Sequence, residues 1–152
     1  MQFIRNKKTE FMCLLFNKFN KIVLVINKKH KNYIKKLNIK NIKIITGGKT
    51  RAESAYTALK SIKRNNFKNV IIHDAARPNF TIKLLNNLIN SLKKNKAIIP
   101  VISSKDSIKY KVKNQLFNLK RENSFLTQTP QAFKYNDLYK LSISQKKKLR
   151  KK

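Results

Sequence analysis

Glycine, proline and acid are scarce in this sequence: its 152 residues carry two glycines, three prolines, one cysteine, no tryptophan and six acidic side chains. Glycine-rich loops are therefore excluded everywhere except at Gly47-Gly48, the only glycines present. The lone Cys13 excludes an intrachain disulfide framework. Its place in the apolar run Phe11-Met12-Cys13-Leu14-Leu15-Phe16 reads as a buried structural thiol. That run is shorter than a signal peptide's apolar region and no small-residue cleavage site follows it. Nothing approaches the roughly 20 apolar residues needed to span a bilayer. A reducing, cytoplasmic setting with no membrane partner is expected.

Base is abundant. Thirty-seven Lys and Arg against six Asp and Glu give a formal charge of +31, which taken alone suits nucleic acid, an anionic surface or phosphorylated small molecules. The lysines are scattered through every segment among many Asn and Ile, as AT-rich codon usage produces, and form no clustered basic face with interleaved aromatics. No specific nucleic-acid partner is expected. At this length a single domain spanning residues 1–152 hides roughly two-thirds of its unfolded surface, enough for a true core.

Apolar spacing predicts the elements. Phe11, Leu14, Leu15 and Phe19 share a helical face over residues 8–19, Ile22 to Ile26 is a β-branched strand, residues 30–37 form a short helix, and Ile42 to Ile45 is a strand stopped by Gly47-Gly48. Ala52, Ala55, Ala58, Leu59 and Ile62 recur at helical spacing behind Thr50, with Glu53 completing a capping-box pattern. Val70 to Ile72 is a strand with an exit loop at His73 to Pro78, residues 81–94 are an amphipathic helix, and Ala97 to Ile102 returns to strand. Strands alternating with helices predict an α/β fold, Rossmann-like, with a mostly parallel sheet covered by helices on both faces. Ile108, Tyr110, Val112, Leu116 and Leu119 flank Lys113-Asn114-Gln115 in the manner of a hairpin, a projecting β-arm at about residues 106–121. Gln145 to Lys152 reads as a basic, solvated tail.

In parallel α/β sheets ligands bind beyond the carboxyl ends of the strands, and three polar segments qualify. In Gly47 to Ser54, glycines before a helix start let backbone approach a ligand, although a tight turn before a capped helix has the same pattern. In His73-Asp74-Ala75-Ala76-Arg77-Pro78, a carboxylate that can hold Mg²⁺ or a sugar hydroxyl stands near a guanidinium suited to phosphate. An internal Asp–Arg pair that ties down the loop is the alternative, and His73 reads as orienting the loop rather than acting as a base. The third, Arg121 to Phe133, is dense in small and polar residues, although Gln128 to Gln131 are also consistent with a polar loop closed by Pro130.

In order, Gly47 to Ser54 (GG-x-x-R-x-x-S), His73 to Pro78 (HDAARP), Asp106 to Lys109 (D-[ST]-x-K), and Arg121 eight residues before Thr129-Pro130-Gln131-Ala132-Phe133 (TPQ-x-F) resemble the methylerythritol phosphate cytidylyltransferases over roughly residues 20–140. HDAARP with TPQ is highly specific; the other two blocks are weak alone. The resemblance implies transfer of a cytidylyl group from CTP to 2-C-methyl-D-erythritol 4-phosphate in non-mevalonate isoprenoid synthesis. It implies nucleotide contacts at Gly47, Gly48, Arg51, Ser54 and Asp74, a Mg²⁺ or other divalent cation on Asp74, and acceptor contacts at Arg77, Ser107, Arg121 and Thr129. Asp74, Arg77, Arg121 and Thr129 would be the catalytic set, in a homodimer whose β-arm carries Arg121 to the neighbouring subunit's site. The family's Gly-rich triphosphate loop has no counterpart before Gly47, and Lys146 to Lys152 do not match its distal lysine, so a partial chain with impaired activity is expected. A ribitol or other polyol phosphate cytidylyltransferase, and a non-catalytic basic remnant binding anions or nucleic acid, are the rival expectations.

Overall fold

The computed structural model describes residues 19–30, 32, 42–77 and 79–149. The helices expected over 8–19 and 30–37, the run around Cys13, and Pro78 of the exit loop lie outside the described residues, apart from a few residues at their margins. Two compact units are present, one formed by the chain up to Lys68 together with the chain from Tyr135 onward, the other by Asn69–Lys134.

In the first unit the β-branched runs β1 (Ile22–Ile26) and β2 (Ile42–Thr46) pair in parallel, Ile22 opposite Ile42 through Ile26 opposite Thr46. Stiff, branched side chains suit such a pleated surface. The Gly47 N–H donates to the Ile26 carbonyl at 2.9 Å, carrying the ladder one residue beyond β2. Helix α1 (Arg51–Ser61) starts where the Thr50 hydroxyl accepts from the Glu53 N–H at 3.1 Å, a cap worth about 1 kcal/mol. Its last turn is covered by the Lys43 ammonium, which donates to the Ser61 carbonyl at 2.7 Å. Leu59 and Ile62 are buried, as their spacing predicts, whereas Ala52 is exposed. The C-terminal helix (Tyr135–Leu149) joins this first unit through the Tyr135 hydroxyl, which donates to the Leu59 carbonyl at 2.9 Å. Tyr139 stacks with Tyr56 and with Tyr135. Residues 145–149, expected as a tail, continue this helix; with no Gly or Pro to stop them, Gln, Lys and Leu are good helix formers.

In the second unit β3 (Asn69–Ile72), α2 (Ile82–Ser91) and β4 (Ala97–Ile98) follow the expected order. The Thr81 hydroxyl caps α2 by accepting from the Leu84 N–H at 3.1 Å. The sheet differs from a mostly parallel one. A late strand, β9 (Gln131–Lys134), lies between β3 and β4 and is antiparallel to both, Ile71 opposite Ala132 and Ala97 opposite Phe133. The α/β class stands, with mixed strand directions. Ala132, wholly buried, gives the reason: it packs with Leu88 of α2 and with Leu92, which caps that helix, and Ile71, Leu84 and Ile98 close around them. Two apolar residues inside a polar stretch carry little strand signal, and sequence reading assigned no strand there.

Between β4 and β9 the chain forms β5 (Val101–Ser103), β6 (Ile108–Val112), β7 (Gln115–Leu119) and β8 (Phe125–Thr127). β5 and β8 pair antiparallel, and β6 with β7 makes the expected hairpin, Ile108 opposite Leu119 and Val112 opposite Gln115. Its turn places Lys113 at φ 52, a left-handed conformation that glycine adopts without strain and lysine does not.

Candidate active site

Asp74 is fixed by its backbone. Two residues beyond the end of β3, its N–H donates to the Thr129 hydroxyl at 3.3 Å, and its carbonyl accepts from the Arg77 N–H at 2.9 Å. The second bond turns the chain back over Ala75 and Ala76, so that Arg77 returns toward the segment that holds Asp74. There the Arg77 Nη1 donates to the Gln128 Oε1. Thr129 is 8% exposed, so the residue that clips Asp74 is itself set firmly in place. Gln128 is anchored in turn, its N–H donating to the Pro100 carbonyl at 2.8 Å and its carbonyl accepting from the Gln131 side-chain amide at 3.0 Å. The HDAAR block and the Gln128–Thr129 pair at the start of the TPQ block, more than fifty residues apart, are thus clipped together at two adjacent points.

His73 packs its ring edge-on against Phe80, centroids 4.4 Å apart. Its Nδ1 is buried and has no hydrogen-bond partner among the described residues. Burial pushes the imidazole below its ordinary pKa, opposed by the neighbouring Asp74 charge and by the backbone at Arg77. A neutral, ring-packed histidine agrees with a role in shaping the loop.

Ser107 and Arg121 form a second group. The hairpin register puts Ser107, just before β6, and Arg121, two residues after β7, at the same end of the arm. That end is clamped below by two buried serines: Ser104 Oγ donates to the Asp106 carbonyl at 3.0 Å, Ser124 Oγ donates to the Lys120 carbonyl at 2.8 Å, and the Ser104 N–H donates to the Ser124 carbonyl. Arg121 itself is exposed.

In the first unit the glycine turn is closed by its own helix. The Gly48 N–H donates to Ser54 Oγ at 3.1 Å and the Lys49 N–H to Glu53 Oε2 at 2.6 Å. The Glu53 carboxylate thereby reaches one residue beyond the N-cap that a capping box would give it. A Cβ at Gly47 would lie 2.6 Å from Ser54 Oγ, and one at Gly48 would lie 2.3 Å from the Glu53 Cβ. Close approach, not unusual φ, requires glycine at both. Arg51 opens α1 with an exposed side chain. Sequence reading assigned no role to Gln128 or to the Glu53 carboxylate in this turn. The repeated Gln on either side of Thr129-Pro130 was the available signal for the first.

Among the described residues no three His, Cys, Asp or Glu side chains stand together as a metal site. Asp74 alone suits the mode in which Mg²⁺ rests on one carboxylate and the phosphates of a substrate. No helix among the described residues is long and apolar enough to cross a membrane.

The family model for 2-C-methyl-D-erythritol 4-phosphate cytidylyltransferase matches residues 8–150. A bifunctional enzyme IspD/IspF from Pelagibacter ubique is 72% identical over 127 residues, covering 84% of this chain and 34% of that protein. A 2-C-methyl-D-erythritol 4-phosphate cytidylyltransferase from Clostridium beijerinckii is 37% identical over 136 residues, 85% of this chain and 59% of its own length. Among solved structures, the 4-diphosphocytidyl-2C-methyl-D-erythritol synthase of Anaerococcus prevotii aligns with TM-score 0.77 at 30% identity, over 90% of this chain and 64% of that one. The chain therefore spans between about one third and three fifths of the curated relatives just described.

Proposed function

The chain belongs to the 2-C-methyl-D-erythritol 4-phosphate cytidylyltransferase family, and from that premise we propose that it serves cytidylyl transfer from CTP to 2-C-methyl-D-erythritol 4-phosphate. An acceptor phosphate oxygen attacks the α-phosphorus of CTP, the bond to the bridging oxygen of pyrophosphate breaks, and pyrophosphate leaves. Such transfers depend on positioning and on neutralising charge that spreads over phosphate oxygens. The observation that carries the reading is the double clip between the Asp74–Arg77 turn and Gln128–Thr129. It holds a carboxylate and a guanidinium, the two groups a metal-bound nucleotide and a phosphate acceptor require, on one rigid support.

In this reading Gly47, Gly48, Arg51 and Ser54 address the nucleotide, the crowded turn bringing backbone against it. Arg77, Ser107, Arg121 and the Thr129 hydroxyl address the acceptor, with the planar guanidinium of Arg77 matching phosphate in two-point fashion. A Mg²⁺ held by Asp74 would supply charge neutralisation at the phosphates. The arm joins two copies in a homodimer, placing Arg121 at the neighbouring copy's site; its exposed Tyr110, Val112, Leu116 and Phe117 support this, Leu116 being 65% exposed. The setting is cytoplasmic, where CTP is made.

Pyrophosphate release from CTP tests the proposal when measured with methylerythritol phosphate and with ribitol phosphate, in Mg²⁺ and after chelation. Release specific to methylerythritol phosphate and dependent on Mg²⁺ is expected. Equal release with either polyol phosphate, or none with methylerythritol phosphate while ribitol phosphate reacts, overturns it.

A further inference from the structure

Arg77 has a long, exposed side chain at the end of a short turn. The bond from its N–H to the Asp74 carbonyl sets where the backbone of Arg77 sits and leaves the guanidinium free to swing through its rotamers. What aims it is Gln128, whose Oε1 accepts from Arg77 Nη1. Gln128 is suited to aiming because it is itself held: its N–H and carbonyl are both bonded, and its Nε2 donates, at 3.4 Å, to the Leu126 carbonyl. With the amide nitrogen directed at a carbonyl, the oxygen is the end turned to Arg77.

We propose that Gln128 is a positioning residue that orients Arg77 toward the acceptor phosphate without neutralising it; this rests on the reading of Arg77 as a ligand of that phosphate. Residue chemistry explains the amide. A carboxylate at this place would hold the guanidinium as firmly but form an ion pair in competition with the phosphate. A neutral amide takes one of the five guanidinium N–H donors and leaves the full positive charge. The adjacent Thr129 hydroxyl holds Asp74 by the same device, a neutral oxygen accepting from the loop.

Titration calorimetry of methylerythritol phosphate into the protein and its variants tests this. Gln128→Ala is expected to weaken binding about tenfold, the scale of one hydrogen bond to a charged group. Gln128→Glu, nearly the same shape, is expected to weaken it at least as much with an unchanged thermal midpoint, an outcome that lost structure would not give. Arg77→Ala combined with Gln128→Ala is expected to bind no more weakly than Arg77→Ala alone, because Gln128 acts through Arg77. Should Arg77→Ala lose affinity while both Gln128 variants bind as the parent does, or should the two losses simply add, the positioning role is overturned and the reading of Arg77 survives. Unchanged affinity in Arg77→Ala sinks that underlying reading instead.

Discussion

The two units hold the loops that follow their strands by opposite means. In the first, the glycine turn is secured by residues four to six positions away, Glu53 and Ser54, so turn and helix start are one local object. In the second, the Asp74 turn is secured by Gln128 and Thr129, more than fifty residues downstream. A local loop keeps its shape wherever its helix forms, whereas a clipped loop exists only when a sheet has brought two distant segments together.

The largest test of that contrast is Asp74→Asn. The backbone bonds to Thr129 and Arg77 survive the substitution, so the fold should be kept, while pyrophosphate release should fall about a hundredfold or more, the usual loss of a charge-stabilising group. Loss of the fold would reassign Asp74 to structure. Next in size is Gly48→Ala in the local loop. The new Cβ meets the Glu53 Cβ at the helix start, which has little freedom to move, and a cost of about 2 kcal/mol is expected from such overpacking. Denaturant midpoints measure it, and no change would show the turn to be looser than described.

Legibility follows the same division. Helix α1, its Thr50 cap and the β1–β2 strands could be read directly because their determinants are neighbours in sequence. The hairpin was legible from alternation around a polar turn. Strand β9 was not, because its place is decided by Ala132 fitting beside Leu88 and Leu92, a property of the assembled core and not of the segment. Asp74 and Arg77 could be named from their place after a buried strand and from their chemistry, with an internal Asp–Arg pair as the alternative, whereas Thr129 was named through motif resemblance. Gln128 escaped because a glutamine in a polar stretch has no pattern until its partner is located.

A smaller effect tests His73 in the clipped loop. Burial lowers its pKa, so the folded state resists protonation and the unfolded state binds the proton more readily. Stability from this source is therefore fully present above the ordinary histidine value near 6.5 and is lost as pH falls below it toward the lowered value. Gln in place of His73 should flatten this acid limb of the stability curve, read by denaturant titrations between about pH 7 and 5. A limb of unchanged slope would assign it to other groups. The smallest effect belongs to the arm: Lys113→Gly relieves a left-handed lysine at φ 52 and should stabilise by up to about 1 kcal/mol. A lower midpoint would show that the lysine side chain contributes more than its backbone strain costs.

The central position of β9 also sets an order of events. β3 and β4 are made early, yet neither pairs with the other; each meets β9, which for β3 arrives about sixty residues later. Closing so long a loop is entropically slow, and contacts of this separation govern folding rate more than final stability. On the ribosome, the sheet of the second unit therefore waits until residue 134 has emerged from the exit tunnel. Because Thr129 and Gln128 precede β9 by only a few residues, the clip on Asp74 and Arg77 closes in the same step as the sheet. During synthesis the sheet of the second unit and the turn that carries Asp74 and Arg77 therefore gain their shape together, at a single point of elongation.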